Sequence, residues 1–157
     1  QVFAIEALAQ IPEAMLAIIG DGPELGVLRQ AARDQGVADR VHFLGSLPHN
    51  EIARHVQAAD ACVLPSESEG IANAWIEALA CGTPLVITDA GGAREVITSD
   101  AGGRIVERKA GAIAKALRDL LRNPPERADV AAVVADYSWE RNGAALVAYW
   151  RSLLSAR

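Results

Sequence analysis

Cysteine and histidine are scarce in this chain of 157 residues. The two cysteines, Cys62 and Cys81, lack C-x-x-C spacing and lie in apolar surroundings, which favours two free buried thiols over a disulfide or a metal pair. The three histidines, His42, His49 and His55, show no zinc-ligand spacing. The sequence therefore does not predict a disulfide scaffold or a zinc-binding fold.

Long hydrophobic runs and an excess of positive charge are also missing. The longest apolar runs, residues 14–19 and 61–64, have the length of a strand and are far shorter than the roughly 20 apolar residues that span a bilayer. The first residues lack the pattern of a secretory signal peptide. A formal net charge of -5 argues against a surface that coats nucleic acid. With 51% hydrophobic residues, the composition is typical of a folded domain.

Short apolar runs alternate with helical patterns along the chain. The predicted strands are residues 14–19, 41–44, 61–64, 84–88 and 104–106, and the predicted helices are 24–36, 50–59, 71–81, 93–97, 110–122 and 139–154. Glycine-bearing turns separate them, and Pro124-Pro125 forces a break. This alternation predicts an α/β domain with a doubly wound, Rossmann-like parallel sheet covered on both faces. Ligands of such domains bind at the carboxyl ends of the strands.

The chain opens directly in a helical pattern, with Val2, Ile5, Leu8 and Ala9 on one face. Because a βαβ domain normally begins with a strand, we predict that residues 1–157 form one domain whose first strand is missing, at the C-terminal side of a longer protein. A chain that starts at a frayed helix is the alternative.

The segment from Pro65 to Glu77 is the best suited to ligand chemistry. It leaves a predicted strand and enters a helix whose first N–H groups and partial positive charge favour anions. Gly70 allows a ligand to approach the backbone closely. Glu69 and Glu77 each offer a carboxylate that can accept two hydrogen bonds from vicinal hydroxyls, which sugars and riboses present. One ligand with a sugar, phosphates and a ribose would satisfy all these groups.

Both glutamates also have a simpler interpretation. Glu69 is a helix-start acid of the kind that the helix dipole favours. Glu77 stands between Ile76 and Ala78 in a helix with apolar residues on nearly every side, so the sequence predicts a carboxylate that is costly to bury without a partner. The residues alone leave both interpretations open.

Glu69 and Glu77 form an E-x7-E arrangement within a longer ordered pattern. The other matching segments are IGDGPE (residues 19–24), VHFLG (41–45), ALACGTPLV (78–86), DAGGAREVI (89–97) and the pair Ser138-Trp139. This set resembles the group 1 (family 4) retaining glycosyltransferases of the GT-B fold. The resemblance implies the C-terminal, donor-binding half of an enzyme that transfers a hexose-type sugar from a nucleotide diphosphate sugar to an acceptor, with retention at the anomeric carbon.

The family's residue roles carry over by position. Glu69 would hold hydroxyls of the donor sugar and carry the catalytic role, and Glu77 would hold the ribose. Backbone contacts to sugar and diphosphate would come from Gly70, Ile71, Ala72, Asn73 and Ala74, the diphosphate would border Gly20 and Gly22, and the nucleobase would lie near Leu44 and Leu47. The family usually has glycine or proline where Ala72 stands. We expect no metal or other cofactor, because no acidic pair with metal-ligand spacing appears.

The resemblance also implies partners and a location. An N-terminal domain would bind the acceptor, and the Arg/Lys pair with which the family neutralises the diphosphate is not found, in agreement with a missing first strand. The implied location is cytoplasmic, with peripheral association at the inner face of the membrane through the missing part as one option. We expect Gly91-Gly92 to form a turn, and Trp139, Tyr149 and Trp150 to be packing residues. The final helix of the related fold crosses back toward the N-terminal domain, so an interface with that domain is the alternative for its apolar surface.

The sequence also leaves room for functions other than sugar transfer. A nucleotide- or sugar-binding module without turnover and a nucleotide-sugar epimerase domain both remain alternatives. A Ser-His-Asp hydrolase is disfavoured because no G-x-S-x-G elbow appears. A nicotinamide dehydrogenase is disfavoured because the glycines at residues 20–22 lack G-x-G-x-x-G spacing.

Overall fold

A computed structural model describes residues 1–155. The strands are β1 (Leu16–Ile19), β2 (Val41–Gly45), β3 (Cys62–Leu64), β4 (Leu85–Thr88) and β5 (Gly103–Val106). The helices are α1 (Val2–Leu8), α2 (Leu25–Asp34), α3 (His49–Ala58), α4 (Asn73–Ala80), α5 (Ala93–Val96), α6 (Ala110–Arg122), α7 (Arg127–Ala132) and α8 (Trp139–Ser155). Strand and helix alternate from β1 to α6, which confirms the predicted α/β class.

The strands pair in parallel, as the alternation predicts. β1 pairs with β2, and β4 lies between β3 and β5. Cys62 stands opposite Leu85, which in turn stands opposite Gly103. One difference from a single continuous sheet appears: within residues 1–155 no strand is hydrogen-bonded to both groups, so a two-stranded and a three-stranded sheet lie in the same domain.

Helix α1 joins the two sheets by packing. Ile5 and Leu8 lie in the apolar cluster shared with β1, β2 and α2, whereas Ala7 and Ile11 lie in the cluster between β4 and α6. Half-buried Ala14 contacts both clusters. Apolar contacts, rather than backbone hydrogen bonds between β1 and β3, therefore hold the sheets together.

Strand β4 is the most deeply buried strand of the described residues. Leu85 and Ile87 pack in the cluster formed with α4, α5 and α7, while Val86 points into the cluster formed with α1 and α6. The apolar run therefore reflects burial on both faces, as is usual for parallel sheets. This confirms the expected cover of helices on both sides.

Two helices depart from the sequence-based expectation. Helix α4 begins at Asn73 instead of residue 71, because Ala72 is extended (φ -71°, ψ 126°). Helix α7 follows the Pro124-Pro125 break and was not predicted, since its six residues show little periodicity. Its buried Val130 completes the cluster around α4. Tertiary packing thus selects an element that the local sequence signals only weakly.

The aromatic residues of α8 do not pack as expected. Trp139, Tyr149 and Trp150 are exposed, and none of the described residues of α8 is buried. The prediction that they are packing residues is therefore wrong for the structure described. No helix within residues 1–155 combines the length and the apolar content that crossing a membrane demands.

The two cysteines are free thiols, as predicted, but each is half-buried instead of fully buried. Burial raises the pKa of Cys62 to about 11, so its thiol stays protonated at neutral pH. Burial, with the nearby charge of Glu77, also raises the pKa of Cys81. Neither has the lowered pKa that a reactive cysteine requires.

Candidate donor-binding site

The loops that follow β1 and β2 meet at the carboxyl edge of their sheet. The Gly20 N–H donates to the Gly45 carbonyl (2.8 Å), and the carboxylate of Asp21 accepts a bond from the Ser46 N–H (3.0 Å). We refer to residues 20–22 and 45–47 as the first loop pair. The structure thereby brings the residues predicted for the diphosphate side together with those predicted near the nucleobase.

The first loop pair borders an open cleft. Gly20 and Gly22 line a cavity of about 260 Å³ at the end of β1, together with Gln1 and Leu28. Leu44, at the end of β2, and Leu47 are half-buried beside this region of the chain. Space for a ligand therefore exists where the sequence places the diphosphate border.

The loop that follows β3, residues 65–72, is held by the neighbouring strands. The hydroxyl of Thr88, the last residue of β4, donates to the Ser66 carbonyl. Beyond β5, the guanidinium of Arg108 donates to the Pro65 carbonyl (3.1 Å) and pairs with the carboxylate of Glu67 (2.9 Å). We refer to residues 65–72 as the β3 loop.

Gly91 and Gly92 form a turn after β4, as predicted, and this turn packs against the β3 loop. The Gly92 N–H donates to the Gly70 carbonyl (2.8 Å). Gly91 has a positive φ of 52°, and a Cβ placed on it would lie 2.0 Å from the Glu69 carbonyl oxygen. The turn thus touches the backbone at Glu69, the predicted sugar-binding position, and at the residue after it.

The start of helix α4 carries unsatisfied N–H groups. Ala72 occupies the N-cap position, where no side chain caps the helix. The Trp75 N–H bonds to the Ala72 carbonyl (3.0 Å), whereas the N–H groups of Asn73 and Ala74 have no acceptor within residues 1–155. Such groups, with the positive end of the helix dipole, attract anions. These N–H groups lie at the observed start of the helix, two residues after the start that the sequence predicts.

Glu77 is exposed, and the expectation of a costly buried carboxylate is wrong. Trp75, Ala78 and Leu79 face the core. Glu77 stands about 200° around the helix from Trp75, because each residue turns the helix by roughly 100°. Glu69 is half-buried. Neither glutamate side chain has a hydrogen bond or ion pair within residues 1–155, so both carboxylates are available to hydroxyl groups.

Positive side chains at this edge are already paired. Arg108 binds Glu67, and Arg94 binds Asp89 (2.6 Å). The hydrogen bond from Arg94 lowers the pKa of Asp89 from its ordinary value of 3.8. No group of three or more metal-binding side chains occurs within residues 1–155. In the described part of the chain, the start of α4 is therefore the feature that offers unpaired positive potential beside Glu69.

Comparison with known proteins identifies the family. The model for "Glycosyl transferases group 1" matches residues 1–133. The chain belongs to the group 1 glycosyl transferases. Among the relatives of this group 1 glycosyl transferase is the GDP-mannose-dependent alpha-(1-6)-phosphatidylinositol monomannoside mannosyltransferase of Mycolicibacterium smegmatis, which is 33% identical over 97% of this chain. The 2-deoxystreptamine N-acetyl-D-glucosaminyltransferase of Streptomyces fradiae is 35% identical over 80% of it.

Solved structures of the same fold cover the whole chain. Sucrose-phosphate synthase from Thermosynechococcus elongatus superposes with a TM-score of 0.87 and 28% identity over 99% of this chain. Anabaena Alr3699/HepE in complex with UDP superposes with a TM-score of 0.81 and 25% identity over all of it. The group 1 glycosyl transferase chain spans 42% of the Mycolicibacterium relative and 42% of the synthase chain. These matches confirm the Rossmann-like GT-B half that the sequence predicts.

Several residues that hold the loops of the candidate site are not evident from the sequence pattern. Thr88 and Arg108 hold the β3 loop, and Asp21 joins the first loop pair. One usable signal is position, since Thr88 ends β4 and Arg108 follows β5 by two residues. In a parallel sheet both positions lie at the edge that carries the ligand.

Proposed function

We propose that the protein transfers a sugar from a nucleotide diphosphate sugar to an acceptor with retention at the anomeric carbon, and that this chain binds the donor. One observation carries the proposal: two carboxylates without a partner in residues 1–155, Glu69 and Glu77, flank the uncapped start of α4. Family membership and the UDP complex of the HepE structure support the choice of a nucleotide sugar.

Each part of the donor has a matching group. Glu69 accepts hydrogen bonds from hydroxyls of the sugar, and Glu77, on the exposed face of α4, accepts them from the ribose. The amides of the α4 start hold the phosphates, with Gly20 and Gly22 bordering them. Leu44 and Leu47 lie toward the nucleobase. The distance along α4 suits this order, because Glu77 lies four residues beyond Asn73, about one helical turn.

The proposed catalytic contribution is electrostatic. As the bond between the sugar and the diphosphate breaks, negative charge grows on the phosphate oxygens. N–H groups fixed at the start of α4 stabilise that charge without reorienting, which is the general advantage of preorganised donors. Glu69 fixes the sugar relative to the departing diphosphate. No resident metal is part of this proposal.

Isosteric substitutions separate the two glutamate roles in the full-length protein. A thermal-shift screen with UDP-glucose, GDP-mannose and ADP-glucose first selects the donor, since a bound ligand stabilises the fold. In calorimetric titrations, Glu77→Gln should weaken binding of both the nucleotide sugar and the free nucleoside diphosphate by more than about tenfold. Glu69→Gln should weaken only the nucleotide sugar.

Glu13→Gln provides the control, because Glu13 is exposed before β1, at the opposite edge of the sheet. Unchanged affinity of Glu77→Gln for the free nucleotide would refute the ribose role. A Glu69→Gln variant that loses free nucleotide and nucleotide sugar equally would refute the assignment of Glu69 to the sugar.

The same proposal assigns acceptor binding to an N-terminal domain and places the enzyme in the cytoplasm, with peripheral membrane association through that domain. Nucleotide release on mixing the full-length protein with donor and candidate acceptors tests for turnover. Its absence with every acceptor, despite tight donor binding, would favour a binding module. The anomeric configuration of the product, read by NMR, tests retention.

A further inference from the structure

The β3 loop carries Glu69 but provides little of its own support. It has no regular secondary structure between Leu64 and Asn73. Its backbone is held by Thr88 from β4, by Gly91 and Gly92 from the next turn, and by Arg108 from beyond β5. We refer to Thr88, Gly91 and Arg108 as the clasp.

Thr88 acts at the start of the β3 loop. Its side chain is 95% buried, with 5% of the residue exposed, and its hydroxyl donates to the Ser66 carbonyl. Ser66 is half-buried and its donor is buried, so loss of this bond is costly, and the bond fixes where the loop leaves β3. Ser66 lies three residues before Glu69.

Gly91 acts at Glu69 itself. A Cβ there would come within 2.0 Å of the Glu69 carbonyl oxygen and 2.5 Å of the Gly70 carbonyl oxygen. Contacts so short do not occur between real atoms, and both neighbours are backbone rather than flexible side chain. Any side chain at position 91 must therefore displace the peptide that carries Glu69.

Arg108 acts at the first residue of the β3 loop and at Glu67. Its guanidinium binds the Pro65 carbonyl and Glu67, and it lies over the ring of Phe3 at 5.0 Å from the centroid. The ring of Phe3, in helix α1, thereby holds the planar guanidinium of Arg108 in its orientation toward the β3 loop. Arg108 thus couples the β3 loop to the helix that joins the two sheets.

Helix α4 is held by other means. Trp75 and Leu79 are fully buried in the core cluster, and this packing places Glu77 whatever the β3 loop does. Displacement of the loop therefore moves Glu69 relative to Glu77. We propose that Thr88, Gly91 and Arg108 are positioning residues that set Glu69 against the sugar of the donor, while leaving recognition of the nucleotide to α4. This inference rests on the proposed function.

Matched variants of the full-length protein test the clasp. Gly91→Ala is compared with Gly36→Ala, whose φ is also positive (67°) but where a Cβ meets nothing within 4 Å. Thr88→Val is compared with Thr83→Val, because Thr83 also donates a buried hydrogen bond to a carbonyl, that of Val56, from the opposite end of β4. The probes are UDP, GDP and ADP, and the corresponding UDP-glucose, GDP-mannose and ADP-glucose.

Gly91→Ala should weaken binding of the nucleotide sugar by about tenfold or more and leave binding of the free nucleotide within about twofold. Thr88→Val should act in the same sense by about three- to tenfold. Hydrogen exchange of the amides at residues 66–70 should quicken in both. The controls should lose stability without any split between nucleotide and nucleotide sugar.

Three results would contradict the proposed positioning role of the clasp. Equal losses for nucleotide and nucleotide sugar in both variants would make the residues merely structural. Unchanged binding and unchanged exchange would show that Glu69 is positioned without them. If the wild-type protein binds none of the three nucleotide sugars, the proposed function fails, and the positioning role of the clasp fails with it. If the wild-type protein binds normally and the variants bind as the wild type does, only the positioning role fails.

Discussion

The first loop pair and the β3 loop lie at the same edge of the fold but are fastened in different ways. In the first loop pair the fastening group is the exposed carboxylate of Asp21, and a Cβ on Gly20 would meet no atom within 4 Å. In the β3 loop the buried Thr88 holds the backbone together with Arg108, and a Cβ on Gly91 would overlap backbone. Gly20 serves backbone conformation alone, whereas Gly91 serves both conformation and close approach.

This difference predicts which part of the site tolerates substitution and which part does not. Exposed polar ties can be replaced by water when one partner is removed, so the first loop pair should accept substitution. The buried Thr88 hydroxyl and the packed peptide at Gly91 are less easily replaced by water. The β3 loop should therefore be the rigid part of the site and the first loop pair the adaptable part.

The largest contrast is expected between the two glycines. Gly91→Ala should destabilise the fold by about 3 kcal/mol, because the strain of a positive φ adds to the displacement of backbone. Gly20→Ala (φ 118°) should cost about 1 to 2 kcal/mol, from conformation alone. Urea unfolding of both variants measures the difference. If Gly20→Ala proved as damaging as Gly91→Ala, the first loop pair would be as rigid as the β3 loop.

A smaller contrast is expected between the two polar ties. Thr88→Val should cost about 1 to 3 kcal/mol, because the Ser66 carbonyl is left without its buried donor. Asp21→Ala should cost about 0.5 to 1 kcal/mol, because water can replace the carboxylate at the exposed Ser46 N–H. Thermal unfolding at one protein concentration compares the two variants. Equal costs would contradict the division between buried and exposed fastening.

The smallest effect is expected beside Gly91, at the exposed Asp89–Arg94 pair. Arg94→Gln should raise the pKa of Asp89 toward its ordinary value of 3.8, and Arg122→Gln, distant on α6, should not change it. The folded pKa is lowered, so the pair's contribution to stability is present above pH 3.8 and is lost as the pH falls through the folded value. NMR titration of the carboxyl carbon follows this shift, and an unchanged Asp89 would show that the pair is not populated in solution.

Much of the fold could be predicted because the local signals agree. Apolar runs of strand length, glycine turns and amphipathic helices alternate without conflict from β1 to α6, and parallel pairing follows from that order. The start of α4 was misplaced because residues 71 and 72 suit a helix by sequence. Contacts from outside the segment, such as the Gly92 N–H on the Gly70 carbonyl, hold that part of the chain extended.

The exposure of Glu77 can be predicted from helix geometry. Trp75, Ala78 and Leu79 have the spacing of one buried face, and Glu77 falls on the opposite side of that helix. The apolar neighbours of Glu77 in sequence therefore do not indicate burial, because its position around the helix decides its exposure. The clasp could not be predicted, because it depends on how closely three separate loops approach.

The placement of the tryptophans separates two regions spectroscopically. Trp75 is fully buried in α4, two residues from Glu77, and its indole N–H has no hydrogen-bond partner within residues 1–155, whereas Trp139 and Trp150 are exposed on α8. Iodide should therefore quench the emission of Trp139 and Trp150 on α8 and leave that of Trp75. The unquenched fluorescence then reports on helix α4, which carries Glu77, without an introduced label.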